Sequence, residues 1–387
     1  MKRHSTVRSI IAITIFLMLA FNLVACTSSD VASDPETEPE TTVIPETTGT
    51  FDTTKAPDTT KAPDTTKAPD TTKAPDTTKA PDTTKAPDTT KAPETTVPVV
   101  SDNGTVGLEY TLLENGCYEV KGIGTAKDKD IVIPETYEGK PVVSIGARAF
   151  WGLSKITSIS IPDSIEHIGV YAFFGCGRLS LNEYEKGYYL GNETNPYLVL
   201  TGATDGDTLK IHEQTKFILA AFDQRESLKT ITIPDSVIQI GERAFYGCRK
   251  LTSITMGKNV RHIGEYAFAG CDGLKEVHIS DIAAWCEIYF DSQISSPLSF
   301  AHDLYLDGKL VTSLTLPDGL SSISAHAFRE CTSIKTIVIP DTVTSIGMSA
   351  FLGCNNLAIF CEAKAKPDDW HEEWNFSNCP VTWGYAG

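Results

Sequence analysis

Ala-Phe occurs at 149–150, 172–173, 221–222, 244–245, 267–268, 327–328 and 350–351, and four of the six intervals are 23 residues. Aligned on that pair, the chain reads "IPDSVIQIGERAFYGCRKLTSIT" from Ile233, "MGKNVRHIGEYAFAGCDGLKEVH" from Met256, "LPDGLSSISAHAFRECTSIKTIV" from Leu316 and "IPDTVTSIGMSAFLGC" from Ile339. A period of this length marks a solenoid, in which no single coil can close a core and each must dock on its neighbour.

The shared pattern is I-P-D-x-V-x-x-I-G-x-x-A-F-x-x-C-x-x-L-x-x-I-x. In L-x-x-I-x-I the last two apolar residues share one face of a strand, because side chains alternate along it. Pro-Asp ends that strand: Pro cannot donate to the ladder and Asp favours a turn. Ile-Gly is expected to mark a second inward position followed by a tight bend. Ala-Phe sets a small residue beside a large one, so that Phe150, Phe173, Phe222, Phe245, Phe268, Phe328 and Phe351 can stack from coil to coil. Three residues after the repeat Phe stand Cys176, Cys248, Cys271, Cys331 and Cys354, expected as a ladder of buried small residues.

This register resembles the BspA-like leucine-rich repeats of bacterial surface proteins over roughly 130–360. The resemblance implies a repeat solenoid, mainly β, of right-handed leucine-rich-repeat coils with short parallel strands. It also implies an exported, non-catalytic protein used for adhesion or other binding. The pattern is broken at Leu153, where other coils have Cys, at "DQR" after Phe222, and by two insertions, 182–210 and 281–309. In the first, "YYLGNETNPYLVL" reads as two strands about a turn; in the second, Asp307-Gly308 signals a two-residue hairpin. Asn115-Gly116 is expected to play the same part in an N-terminal β cap over 101–133. The coils would run over 134–360. Trp370, Trp374 and Trp383 are expected to cover the last coil from a C-terminal cap at 361–387.

Ahead of the solenoid, Lys2, Arg3 and Arg8 precede an apolar run from Ile10 to Ala25 and then Cys26. That order describes an export signal over 1–25. Leu23-Val24-Ala25-Cys26 looks like a bacterial lipobox, which would make Cys26 the lipidated residue and hold the chain on the outer face of the membrane. From Asp52 to Pro93, D-T-T-K-A-P repeats seven times. With almost nothing apolar to bury, residues 26–100 are expected to form a disordered, extended stalk.

The net charge of −17 excludes nucleic acid as a partner, since phosphates demand a surplus of Lys and Arg. Residues 101–387 alone carry 36 acids against 23 bases. No catalytic or cofactor motif is found. "HEEWN" at His371 has Asn375 where a zinc helix needs its second His. His167, His262 and His326 lie in different coils with nothing to cluster them. A Cys286–His302 dyad has no supporting pattern, and Cys361 with Cys379 offers one candidate disulfide. No metal and no cofactor is expected, and the chain is expected to be a monomer.

Two ligand surfaces are open. In each L-x-x-I-x-I strand the third and fifth residues should face outward on a concave sheet: Ser158/Ser160, Thr230/Thr232, Ser253/Thr255, Glu276/His278, Ser313/Thr315 and Thr336/Val338. This hydroxyl-lined face would bind a protein, and no aromatic is expected on it. The alternative is a carbohydrate or cell-wall ligand held by the aromatics of the insertions, Tyr188, Tyr189, Trp285 and Tyr289.

Overall fold

In the computed structural model of the chain, residues 103–387 are described; the expected export signal, Cys26 and the stalk lie outside them. The described chain is a mainly-β solenoid of about 12 turns with almost no helix. Each regular coil contributes two short strands, one from L-x-x-I-x-I and one ending in Ile-Gly. Each kind of strand pairs with its counterpart in the next coil.

The L-x-x-I-x-I strands form a six-stranded sheet, Thr208–Lys210, Thr230–Thr232, Ser253–Thr255, Glu276–Ile279 and Asp303–Leu306 in parallel, closed by Lys309–Leu310 in antiparallel. A second group, Ser313–Thr315, Thr336–Ile339, Ala358–Cys361 and Val381–Trp383, forms a four-stranded sheet. A third pairs Asp130–Val132 with Ser158–Ser160. Between the two strands of a coil, Pro-Asp makes the expected turn: the Pro234 carbonyl accepts from Val237 N–H at 3.1 Å, and Pro340 from Val343 at 3.1 Å.

The Ile-Gly glycines have a different purpose from the one expected. Gly169, Gly264 and Gly347 are not in the left-handed region. A Cβ on Gly264 would instead lie 2.5 Å from Glu242 N, and on Gly169 or Gly347 it would run into the backbone of Ala147 or Ala325. Glycine is required here because two coils approach backbone to backbone. The left-handed bends lie elsewhere. One is the residue before Ala-Phe, at Arg148, Tyr171, Arg243, Tyr266, His326 and Ser349. The other is the residue before Cys, with φ of +80° at Gly175, +70° at Gly247, +77° at Gly270 and +85° at Gly353.

The repeat Phe rings stack in three runs rather than one. Phe150 lies 5.8 Å from Phe173; Phe222, Phe245 and Phe268 follow at 4.9 and 5.1 Å; Phe328 lies 5.6 Å from Phe351. Trp374 meets Phe351 edge-on at 5.9 Å and is itself packed against Trp370, which closes the last run. The breaks fall at the two insertions. The repeat thiols do more than fill space: Cys176, Cys248, Cys271 and Cys354 donate to the carbonyl of the Phe one coil back, Phe150, Phe222, Phe245 and Phe328, at 2.9–3.1 Å. Cys331 follows the altered coil and meets Ser333 Oγ at 3.5 Å.

The first insertion supplies antiparallel strands Asn182–Tyr184, Gly187–Leu190 and Val199–Ala203, which continue the Ile-Gly strands as a seven-stranded sheet. The second holds the expected hairpin, with φ of +50° at Asp307 and +73° at Gly308, but it is largely a coil in disguise. Tyr289–Phe290 extends the Ile-Gly sheet and Asp303–Leu306 the other, with short helices Ile282–Cys286 and Leu298–Ala301 replacing the usual turns. At the N-terminus, Leu113 and Cys117 close a three-residue loop, Glu114 to Gly116, where a two-residue turn was expected.

Two cores result, one built from the first coils and one from the rest. Val199 and Phe217 face the first while Leu200 and Ile218 face the second, so the seven-stranded sheet lies between them. Strand His167–Ile168 pairs in parallel with Ser144–Ile145 on one edge and meets this sheet on the other. The buried Gln239 amide both donates to Ile168 O at 2.7 Å and accepts from Ile168 N at 3.0 Å, doing for that strand what a neighbouring backbone would.

Candidate functional site

The six-stranded sheet turns alternate residues to solvent, as its pleat requires. Its register sets Thr208, Thr230, Ser253, Glu276 and Asp303 in one row and Lys210, Thr232, Thr255, His278 and Tyr305 in the next. At about 4.8 Å per strand each row runs roughly 19 Å. An open trough of about 780 Å³ lies along the second row, over Lys210, Thr232, Thr255 and His278 and reaching Thr208 and Thr230 of the first, walled by Pro234-Asp235 on one side and by the Asp307-Gly308 hairpin at its end.

The trough is not uniform. Lys210 stands at one end. At the other His278 Nε2 lies 3.1 Å from Glu276 Oε2, its ring stacks on Tyr305 at 4.6 Å, and Asp303 follows Glu276 in the row. Hydroxyls occupy the middle.

Of the expected outward-facing residues, Thr230, Thr232, Ser253, Thr255, Glu276 and His278 share this sheet. Ser158 and Ser160 lie on the N-terminal pair, where Ser158 Oγ donates to Asp130 Oδ1 at 2.7 Å and so lowers the Asp130 carboxyl below its usual range. Ser313, Thr315 and Thr336 lie on the C-terminal sheet, where Thr336 Oγ1 donates to Ser313 Oγ at 2.7 Å. Four residues extend the rows that the sequence reading assigned to the insertions: Thr208, Lys210, Asp303 and Tyr305. Leu209 and Ile211, and Leu304 and Leu306, carry the strand pattern there, but no Ala-Phe pair announces it. Tyr305 also corrects the expectation that this face holds no aromatic.

The insertion aromatics do not form a site together. Tyr189 and Trp285 are fully buried and belong to the core. Trp285 Nε1 donates to Ala327 O at 2.9 Å, and burial pushes the Tyr189 hydroxyl up to about 12. Tyr188 is half-buried and Tyr289 exposed, and four strands separate theirs, roughly 24 Å. Cys361 and Cys379 are both free and buried, so the candidate disulfide is not formed. Burial raises Cys331 to about 11 and Cys361 to about 12, which keeps these thiols protonated. His167 and His262, expected apart, stack at 5.7 Å where the two cores meet, and His262 Nε2 pairs with Asp291 at 2.7 Å. Among the described residues no three His, Cys, Asp or Glu side chains are grouped as a metal would require.

The sequence profile of the BspA type leucine rich repeat region matches residues 126–191, 208–295 and 302–380 in six copies, more than half of the 387 residues. The chain belongs to this family. Among solved structures it is similar to a leucine rich cell surface protein from Faecalibacterium prausnitzii, with 25% identity, 68% of this chain and 76% of that one covered, and a TM-score of 0.27. The leucine rich repeat protein of T. pallidum is 22% identical, with 72% and 97% covered and a TM-score of 0.25. The pneumococcal vaccine antigen PcpA is 15% identical, with 65% and 61% covered and a TM-score of 0.25. Comparison with curated protein sequences gives no match.

Proposed function

We propose that this BspA-type protein is an adhesion or protein-binding module, held at the cell surface by a lipid on Cys26 and raised on its Thr/Pro-rich stalk. The trough carries the reading. It sets the hydroxyls of Thr208, Thr230, Thr232 and Thr255 among the charged or polar side chains of Lys210, Glu213, Asp235, His278 and Asp307. An extended peptide of about six residues spans the length of a row at some 3.3 Å each. Charged side chains along it would fix the register of such a peptide.

The test is binding of the soluble chain, residues 27–387, to immobilised host matrix proteins, with Thr232→Lys and Thr255→Lys variants alongside. Saturable binding that both variants reduce at least tenfold supports the trough. Binding untouched by both sends the ligand elsewhere. Globomycin sensitivity of the full chain, lost in Cys26→Ala, tests the anchor.

A further inference from the structure

The Ala-Phe turns of the first two coils carry an exposed block that neither the fold nor the trough uses. Arg148 N–H bonds Val170 O at 2.9 Å and Gly152 N–H bonds Phe174 O at 2.7 Å, so the two turns lie side by side in register. That sets Arg148 next to Tyr171 and Trp151 next to Phe174. Trp151 is 57% exposed and Phe174 63%, a high value for rings so large. The Arg148 guanidinium lies 5.8 Å from the Trp151 ring centre, and Tyr171 meets Phe174 edge-on at 5.6 Å. Contiguous exposed aromatics on a soluble domain mark a binding surface.

Its charge runs against the rest of the molecule. From 140 to 181 the chain has Lys140, Arg148, Lys155 and Arg178 against Asp163 and Glu166, a surplus of bases in a protein of net charge −17. Two carboxylates reach the margin: Glu242 Oε1 accepts from Tyr171 Oη at 2.9 Å, with Arg243 following it in the chain, and Glu119 lies against Gly146, where its Oε2 accepts from Ser144 Oγ at 3.0 Å.

We propose that this edge is a second binding site, for an acidic polysaccharide. Sugar rings present C–H faces that stack on aromatic rings, and their carboxylates pair with guanidinium and ammonium groups. One coil step, about 4.8 Å, is close to the rise of one sugar in an extended glycan, so consecutive sugars would meet Trp151 and then Phe174. A membrane surface fits less well. Both rings lie against a neighbour, Arg148 or Tyr171, rather than standing free to enter a bilayer.

The experiment measures binding of the residue 27–387 chain to polygalacturonate, to dextran of matched length and to phosphatidylglycerol vesicles, at low and high salt. The wild type is expected to bind polygalacturonate saturably, to ignore dextran and to weaken as salt rises. Trp151→Ala with Phe174→Ala should weaken binding at least tenfold with an unchanged circular dichroism spectrum. Lys155→Gln with Arg178→Gln should flatten the salt dependence. No binding to polygalacturonate, equal binding to dextran, or binding indifferent to the aromatic pair overturns the proposal. Vesicle binding lost with that pair, with polygalacturonate ignored, overturns it in favour of a lipid surface.

Discussion

The residue before each repeat Cys bends left-handed, and two coils meet that demand without glycine. Gln224 has φ of +58° and Glu330 +59° at the position where Gly247 has +70° and Gly270 +77°. A side chain in that region costs about 1–2 kcal/mol, because Cβ crowds the following carbonyl. Glycine removes the cost but returns about 0.4–1 kcal/mol to the unfolded chain as entropy. Gln224 is exposed and its side chain makes no hydrogen bond. Gln224→Gly should therefore stabilise by about 0.5–1 kcal/mol. The reverse change is available one coil on: the nearest atoms to a Cβ on Gly247 belong to Gln224, at 3.5 Å or more, an ordinary contact. Gly247→Ala should then cost about 1 kcal/mol, through torsion alone. In a domain of this size such changes move the melting midpoint by about 2–3 °C, in opposite directions, readable by circular dichroism. Glu330→Gly is the less clean test, since it also removes the 3.7 Å pair with Arg329. If Gln224→Gly lowers the midpoint, or Gly247→Ala leaves it unmoved, backbone torsion is not what glycine supplies here.

Gly264→Ala should destabilise by more than Gly247→Ala, about 2 kcal/mol or above, because its Cβ meets the backbone of Glu242 at 2.5 Å rather than neighbours at 3.5 Å or more; guanidinium melts of the two variants give the order. Gln239→Leu keeps the volume but strands two buried backbone groups of Ile168, at a cost of about 2–4 kcal/mol, and hydrogen exchange should quicken first in the N-terminal coils. Cys331 rises to about 11 from an unfolded value of about 8.5. The unfolded chain thus releases this proton first, and stability should fall as pH climbs from about 8.5 towards 11. Cys331→Ala should make that fall shallower in melts across the range.

The coil was legible because its residues recur for local reasons. Alternating Ile and Thr, Pro-Asp and the Ala-Phe spacing each state a strand, a turn or a stack. What escaped the sequence depends on neighbours 22 or more residues away. The Ile-Gly glycine looks like any bend residue until Glu242 or Ala325 is set against it. The trough was half visible: Thr230 to His278 follow the repeat, whereas Thr208, Lys210, Asp303 and Tyr305 sit in coils whose Ala-Phe turn was replaced. Gln239 belongs to a two-residue strand, Gln239–Ile240. Nothing in its own coil says that Ile168, 71 residues earlier, lies across it.

Asn103 begins the described chain, and Thr105 is stitched at once to Val132, its N–H to the carbonyl at 2.9 Å and its hydroxyl to the N–H at 2.8 Å. Tension arriving from the preceding segment therefore enters through the first coils, while the trough belongs to the second core. A partner pulling from the trough would load the junction between them, where the Gln239 amide bonds strand His167–Ile168, His167 stacks on His262, Tyr171 bonds Glu242 and Ile161 N–H bonds Gly191 O, so that many small contacts share the force.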